Sequence, residues 1–422
     1  MSISNHAYPK DTSLHEDIDS RWGFELFANN AVNEGFFHEL LTTAKPVGPT
    51  IFYDNMEMIN FASINILNLH QEPDVLEHFR EACGVYGLTT GGSRVTQGVC
   101  KAHVDMESEL CRITGKERAI SFATGLLANI GFINAMSSKF SFSSTCNIDN
   151  SDSVFILDRD CHWSLWKAAS HLKFGKQLFV FRHNDVEDLE RILSKVSVRH
   201  KKIVVVFESI YSADGTVAPM GALIDVCERY QALSFIDDAN GFLIYGPENR
   251  LFSDEFEAMK RATFIMVSFS KAIGLEGGAI AGPKGYIHSF EVLSGTSLFT
   301  AAIQPPTAST IRYIMGKLTS QPEIMDNYLN RALGLRRILE EKGFSLSETP
   351  SYITSVLIGE DEKAVNVYHD FLEQGFIVPM FRYPAVKPDC ALIRIMLNAH
   401  HTEEQVFRLV NVLEWLKIKH KF

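Results

Sequence analysis

The chain has 422 residues, 46% hydrophobic and 22% charged, which is the balance of a globular protein too long for one ordinary core and predicts a large domain with a smaller companion. A net charge of −11 excludes the basic footprint of a nucleic-acid binder, and no apolar run reaches the length of a membrane span. The seven cysteines are scattered without a C-x-x-C pair and the 15 histidines show no H-E-x-x-H spacing, so the reading is reduced thiols, a cytoplasmic protein and no metal.

Residues 1–20 are polar, carry acids and read as a loose arm, not a signal peptide. Over 21–41 the apolar Phe24, Phe27, Ala31, Phe36, Phe37, Leu40 and Leu41 recur at helical spacing. Residues 51–53 read as a short strand, Asp54-Asn55 as a turn, and 58–64 as a second extended run. A helix is predicted over 73–82. The stretch 84–98 then holds Gly84, Gly87, Gly91, Gly92 and Gly98, a density that predicts a loop whose backbone approaches something closely. A helix carrying His103 and Glu107 follows.

From there an alternation sets in. Strands are predicted at 119–123, 154–157, 177–181, 203–208, 233–237, 264–269 and 279–282, most of them separated by helical patterns. Seven near-continuous apolar runs rich in Val, Ile and Phe predict an α/β fold with a mostly parallel sheet covered on both faces. The Gly277-Gly278 link is too short for a crossover, which makes the last pair an antiparallel hairpin. After Thr300 the pattern changes. Pro305-Pro306 opens a helical region running to Gly343, strands follow at 355–359 and 392–397, and T-E-E-Q at 402–405 predicts a capping box on the closing helix. The apolar stripe Val406, Leu409, Val410, Leu413 and Leu416 on that helix reads as core. The implied division is an arm and helix over 1–70, a large domain over 71–303 and a small α+β domain over 304–422.

Ligands of an open parallel sheet bind beyond the carboxyl ends of its strands, and those ends carry unusual residues here. The first ends at Thr124-Gly125-Leu126, where a helix begins with free N–H groups that can cradle a phosphate. The second leads to His162, which can lie flat on an aromatic ligand. The fourth leads to Ser212, beside the tight turn Asp214-Gly215. The fifth ends at Asp237-Asp238-Ala239-Asn240; a carboxylate there, set against a pyridine nitrogen, holds it protonated and makes the ring an electron sink. The sixth delivers Ser268-Phe269-Ser270-Lys271, a lysine whose partly desolvated amine can form a Schiff base. Phosphate cradle, stacking histidine, carboxylate and lysine on successive strands are the parts a pyridoxal phosphate site requires.

The chain resembles the α-oxoamine synthases, a branch of the fold-type I pyridoxal phosphate enzymes that includes 8-amino-7-oxononanoate synthase, 2-amino-3-ketobutyrate CoA ligase, 5-aminolevulinate synthase and serine palmitoyltransferase. The matching stretches are G-G-S-R at 91–94, H-x-x-x-E at 103–107, T-G-L-L-A-N at 124–129, D-x-x-x-H-x-S at 158–164, H-N-D at 183–185, E-S-I-Y-S-A-D-G at 208–215, S-F-S-K-A-I-G at 268–274, R-Y-P-A-V at 382–386 and R-I-x-x-x-A-H-H-T at 394–402. The resemblance implies Lys271 as the Schiff-base lysine, Asp237 as pyridinium partner and His162 as stacking base. It implies Thr124, Gly125, Leu126, Ser268 and Ser270 around the phosphate, and Ser212 with Asn240 around the ring hydroxyl. Thr300 matches a residue that reaches the neighbouring subunit's phosphate, which implies a homodimer with sites at its interface. Arg394 and Arg382 match arginines that take substrate carboxylates, for which a planar guanidinium fork is suited.

Two departures stand out. The family's D-E-x-H after the fifth strand is Asp237-Asp238-Ala239-Asn240 here, and its early A-S-N-D-Y-L-G-L is reduced to Ala62-Ser63-Ile64-Asn65-Ile66-Leu67-Asn68-Leu69. The implied reaction is decarboxylative condensation of an α-amino acid with an acyl thioester to an α-amino ketone. Ser209-Ile210-Tyr211-Ser212 and His162-Trp163-Ser164-Leu165-Trp166 also resemble the autoinducer synthases, which make amino-ketone signals from fatty acyl-CoA. An aminotransferase or lyase on the same fold is the alternative outside the branch.

Overall fold

A computed structural model of the chain describes residues 21–33, 43, 45–53, 56–246 and 250–422. The polar arm over 1–20, the second half of the first predicted helix with Phe36, Phe37, Leu40 and Leu41, and the Asp54-Asn55 turn lie outside the described residues. Helix Phe24–Asn33 is the described part of that first helix.

Strands β1 (Thr50–Tyr53) and β2 (Met56–Asn60) pair antiparallel. Next come β3 (Arg118–Phe122), β4 (Lys139–Ser141), β5 (Asn147–Asp149), β6 (Val154–Asp158), β7 (Leu178–Phe181), β8 (Ile203–Glu208), β9 (Leu233–Asp237), β10 (Phe264–Ser268) and β11 (Gly278–Gly282). The last are β12 (Ile353–Gly359), β13 (Phe376–Ile377), β14 (Met380–Phe381) and β15 (Ala391–Met396). Seven of them make the central sheet, in the order β3-β11-β10-β9-β8-β6-β7. All run parallel except β11, which pairs antiparallel with both β10 and β3, as the short glycine link requires. This is the predicted α/β arrangement, a mostly parallel sheet covered on both faces.

The continuous apolar runs reflect burial on both faces. Along β8, Ile203, Val205 and Phe207 enter one core while Val204 and Val206 enter the other. The second core packs under the helices Gly125–Met136 and Lys284–Leu293, with Phe132 stacked on Phe235 at 4.0 Å between ring centroids. Each such side chain contributes roughly 1.5–3 kcal/mol of burial. Sequence alone left no choice between strand and buried helix in these runs except through their length and β-branching.

Several elements differ from expectation. The helical region after Pro305 is two helices, Pro305–Ser320 and Glu323–Glu341, interrupted at Gln321-Pro322, where proline cannot continue the hydrogen-bond ladder. The β4–β5 hairpin is an addition to the predicted elements; Lys139-Phe140-Ser141 and Asn147-Ile148-Asp149 alternate polar and apolar, but each strand is only three residues long and exposed throughout. The glycine-rich loop also behaves differently. A Cβ at Gly87, Gly91 or Gly98 would meet nothing within 4 Å, so the requirement there is positive φ, whereas at Gly92 a Cβ would fall 2.5 Å from the Gln97 side chain, the close approach expected of this loop. At the far end Thr402 and Gln405 form the capping box, and Val406, Leu409, Val410, Leu413 and Leu416 are buried as core.

The three-stranded sheet β12-β15-β14 forms the C-terminal layer, and β13 pairs parallel with β2. The early strands are thereby joined to the C-terminal part of the chain. Among the described residues no helix is long and apolar enough to cross a membrane.

Candidate active site

The carboxyl ends of β6, β8, β9 and β10 lie side by side, and register pairs Glu208 with Asp237. The loops beyond them carry His162, Ser212, Asn240 and Lys271. On the other side of β10, β11 returns antiparallel and sets Gly278 against the helix start at Gly125. A Cβ on Gly278 would fall 2.8 Å from the Gly125 Cα, so the two backbones touch in a way no other residue permits. Thr124 caps the helix Gly125–Met136, its hydroxyl accepting the Leu127 N–H at 3.1 Å. Ser268 and Ser270 share a hydroxyl hydrogen bond of 2.9 Å beside this turn, and Leu126 is exposed at its rim.

Asp237 is 3% exposed. Its Oδ2 accepts from Asn129 Nδ2 at 2.9 Å and its Oδ1 from the Ala239 N–H at 3.1 Å. Burial raises its pKa; the Asn129 hydrogen bond and the neighbouring His162 and Lys271 oppose the rise. Lys271 keeps some solvent contact, yet the protein packed about its amine, with the Arg394 charge adding to the effect, lowers its pKa to about 8. His162 as a residue is exposed, yet the protein packed about its imidazole lowers its pKa as well; Asp237 acts in the opposite sense, and Lys271 and Arg394 reinforce the lowering. Four groups from β6, β9, β10 and β15 thus sit close enough for their charges to act on one another.

Arg394, on β15, is 9% exposed. One guanidinium nitrogen donates to the Ser212 carbonyl at 2.7 Å and the group lies over the Phe381 ring, while its buried Nε has no partner. Burial lowers its pKa to about 10. A buried guanidinium left with an unused donor is arranged for an anion that arrives from outside the chain. Asn240, 5% exposed, donates from Nδ2 to the Ile210 carbonyl at 3.1 Å, and its own carbonyl accepts the Tyr352 hydroxyl at 2.9 Å. Arg382 lies near β14, part-exposed, with its carbonyl accepting the Ala385 N–H. Thr300 is part-exposed and follows Phe299, which is 85% exposed. Neither Arg382 nor Thr300 is among the groups whose charges or hydrogen bonds reach Lys271.

Sequence reading missed the supports. Asn129 and Ser164 brace Asp237 and His162. Glu208, 2% exposed, accepts the His162 backbone N–H, and burial followed by the nearby Asp237 pushes its pKa well above the carboxylate range. Some matched motifs turn out to be brackets. Arg94 of G-G-S-R is clamped between Glu107 at 2.7 Å and Glu291 at 3.0 Å, binding the glycine loop to two helices. His183 of H-N-D bridges Asp158 and Thr216, both at 3.1 Å. The signal for these was present, as polar residues at strand ends, but pairing is invisible without the fold.

A lysine with a lowered pKa, a buried carboxylate, an exposed histidine and a capped helix start at strand ends define a pyridoxal phosphate enzyme of fold type I. The pieces fit that group: Asp237 can face a ring N–H, and the Gly125 turn leaves backbone room for a phosphate. Residues 56–413 match the family described as aminotransferase class I and II, and the chain belongs to that family. Its relatives narrow the branch to the α-oxoamine synthases. It is 30% identical over 397 residues to 8-amino-7-oxononanoate synthase of Saccharophagus degradans, covering 94% of this chain and 96% of that protein. It is 28% identical over 354 residues to 5-aminolevulinate synthase 2 of Cereibacter sphaeroides, with 84% of each covered. The structure of Sphingomonas wittichii serine palmitoyltransferase superposes with a TM-score of 0.84 at 25% identity, over 96% of this chain and 98% of that one. A serine palmitoyltransferase structure of the same likeness was solved with pyridoxal phosphate.

Proposed function

We propose that the protein condenses an α-amino acid with an acyl thioester, releasing CO2 and the free thiol and leaving an α-amino ketone. The observation that carries this reading is the convergence of Lys271, Asp237, His162 and Arg394, with the Arg394 Nε unpaired. Bound at this site, pyridoxal phosphate supplies the electron sink for the carbanion at the amino acid's α-carbon.

The chain's residues divide the remaining work. Lys271 would hold the cofactor through its amine and take the amino acid's α-proton; a pKa of about 8 leaves part of the amine free near neutral pH. Asp237 would keep a pyridine nitrogen protonated, and His162 would stack on the ring. Thr124, Gly125, Leu126, Ser268 and Ser270 take the phosphate, while Ser212 and Asn240 lie toward the ring hydroxyl. Arg394 binds the amino acid's carboxylate, and Arg382 receives that same carboxylate before it leaves as CO2. Thr300 reaches the phosphate of a second copy, so the working form is a homodimer, with a large domain over 71–303 and a small one over 304–422 behind the arm over 1–70. Seven free cysteines agree with a reducing, cytoplasmic setting.

The test uses purified protein loaded with pyridoxal phosphate, a panel of amino acids and acyl-CoAs of graded length. CO2 and free thiol should appear together and only when both substrates are present. Keto-acid formation without thioester would instead support the aminotransferase reading.

A further inference from the structure

Asn129 stands at the centre of a hydrogen-bonded chain that joins the two residues flanking the ring. Its Nδ2 donates to Asp237 Oδ2 at 2.9 Å and to Ser164 Oγ at 2.9 Å. Ser164 Oγ lies 2.8 Å from His162 Nδ1, and the Ser164 backbone N–H donates to the same Nδ1 at 3.2 Å. The donor directions then follow from chemistry. An amide oxygen facing the Asp237 carboxylate would be repelled, so Asp237 fixes which way the Asn129 amide points. The Asn129 Oδ1 is left buried without a partner, which shows that the amide is held by its donors. Both amide hydrogens are committed, so Ser164 Oγ accepts one of them and turns its own hydrogen toward His162. Nδ1 therefore receives two donors and must carry a lone pair.

From this geometry we infer that Asn129 is a positioning residue: through Ser164 it relays the orientation set by Asp237 and locks His162 as the neutral tautomer protonated only at Nε2. The catalytic consequence rests on the reading that His162 stacks on the cofactor, but the tautomer is a property of this chain. Four groups face the imidazole: Asp237, Lys271, Arg394 and, at its backbone, Glu208. Asp237 alone favours a proton on the ring; Lys271 and Arg394 oppose it. The relay sides with the two cations. It keeps a third positive charge from forming beside Lys271 and Arg394, and it leaves Nε2–H as the ring's single donor.

The test is nitrogen NMR of the histidine-labelled full chain without cofactor. The parent should show His162 as the Nε2–H tautomer at neutral pH, with a pKa below the ordinary histidine value. Ser164→Ala removes the hydroxyl that favours the neutral form, and the His162 pKa should rise by about one unit, a tenfold gain in proton affinity. Ser164→Thr retains a hydroxyl and should restore the parent value. Asn129→Leu should give a mixture of tautomers, and the double variant with Ser164→Ala should titrate like Ser164→Ala alone. An Nδ1–H tautomer in the parent, which requires no variant to fold, would overturn the inference. So would one unchanged His162 pKa across all variants. Failure of the cofactor reading is seen separately, as loss of cofactor uptake with the tautomer unaffected.

Discussion

Arg394 reaches from the C-terminal sheet to the Ser212 carbonyl at 2.7 Å, tying β15 to the loop after β8 while its Nε stays unpaired in a buried position. One bond thus fixes the guanidinium, and its Nε–H is left without a partner in the chain. Arg394→Ala should raise the amino-acid KM by roughly 10- to 150-fold, the equivalent of a charge-assisted hydrogen bond of about 1.5–3 kcal/mol. Arg394→Lys should stay impaired, because an ammonium cannot reproduce the fork. Arg382→Ala should lower kcat more than it raises that KM. Steady-state kinetics on the three variants decide it, and an unaltered amino-acid KM in Arg394→Ala would mean the carboxylate binds elsewhere.

Asn240 also holds the loop after β8, through the Ile210 carbonyl. An amide cannot carry a proton at working pH, whereas a histidine in that position can. Asn240→His is expected to change the pH profile of turnover more than the amino-acid KM. Asn240→Ala should cost about 1 kcal/mol of stability and shift the bound cofactor's absorption. Parent-like spectra and pH profiles in both variants would remove Asn240 from the site.

The Arg94 bracket makes a stability prediction. Its side chain is 4% exposed and bridges Glu107 and Glu291, themselves 12% and 16% exposed. Arg94→Met removes the cation these two largely buried carboxylates share and should destabilise the chain by about 3–5 kcal/mol. Denaturant unfolding measures this, and a loss under 1 kcal/mol would show that water reaches the carboxylates and offsets the missing partner.

Much of this organisation is legible in the sequence, for identifiable reasons. The strands of the central sheet are buried on both faces, so their apolar runs stand out, and 203–208 and 233–237 coincide with β8 and β9. The site residues follow because parallel strands place their next loops at one edge. What stayed hidden depends on three dimensions. Nothing local ties Asn129 to Asp237 across 108 positions, or Arg94 to Glu291 across 197. The strands of the β4–β5 hairpin and the short β13 and β14 are two or three residues long, too short for any periodicity to mark an element.

Lys271 sets the expected pH behaviour. Burial, reinforced by Arg394, lowers its pKa from 10.5 to about 8, so the folded chain sheds this proton before the unfolded chain does. Between about pH 8 and 10.5 the unfolded state holds more protons, and this residue's contribution to stability rises with pH through that window. Uptake of pyridoxal phosphate requires the free amine, so its rate should climb with pH and reach half its plateau near pH 8. Arg394→Ala removes a positive neighbour and should move that midpoint upward. A midpoint near 10 in the parent would mean that the amine is solvated.

The most direct measurement is to load the protein with pyridoxal phosphate, reduce it with borohydride and map the labelled peptide. The site described here predicts a single pyridoxyl group on Lys271, and no label in Lys271→Ala. A label on another lysine, or full labelling of Lys271→Ala, would contradict the placement of the cofactor at the end of β10.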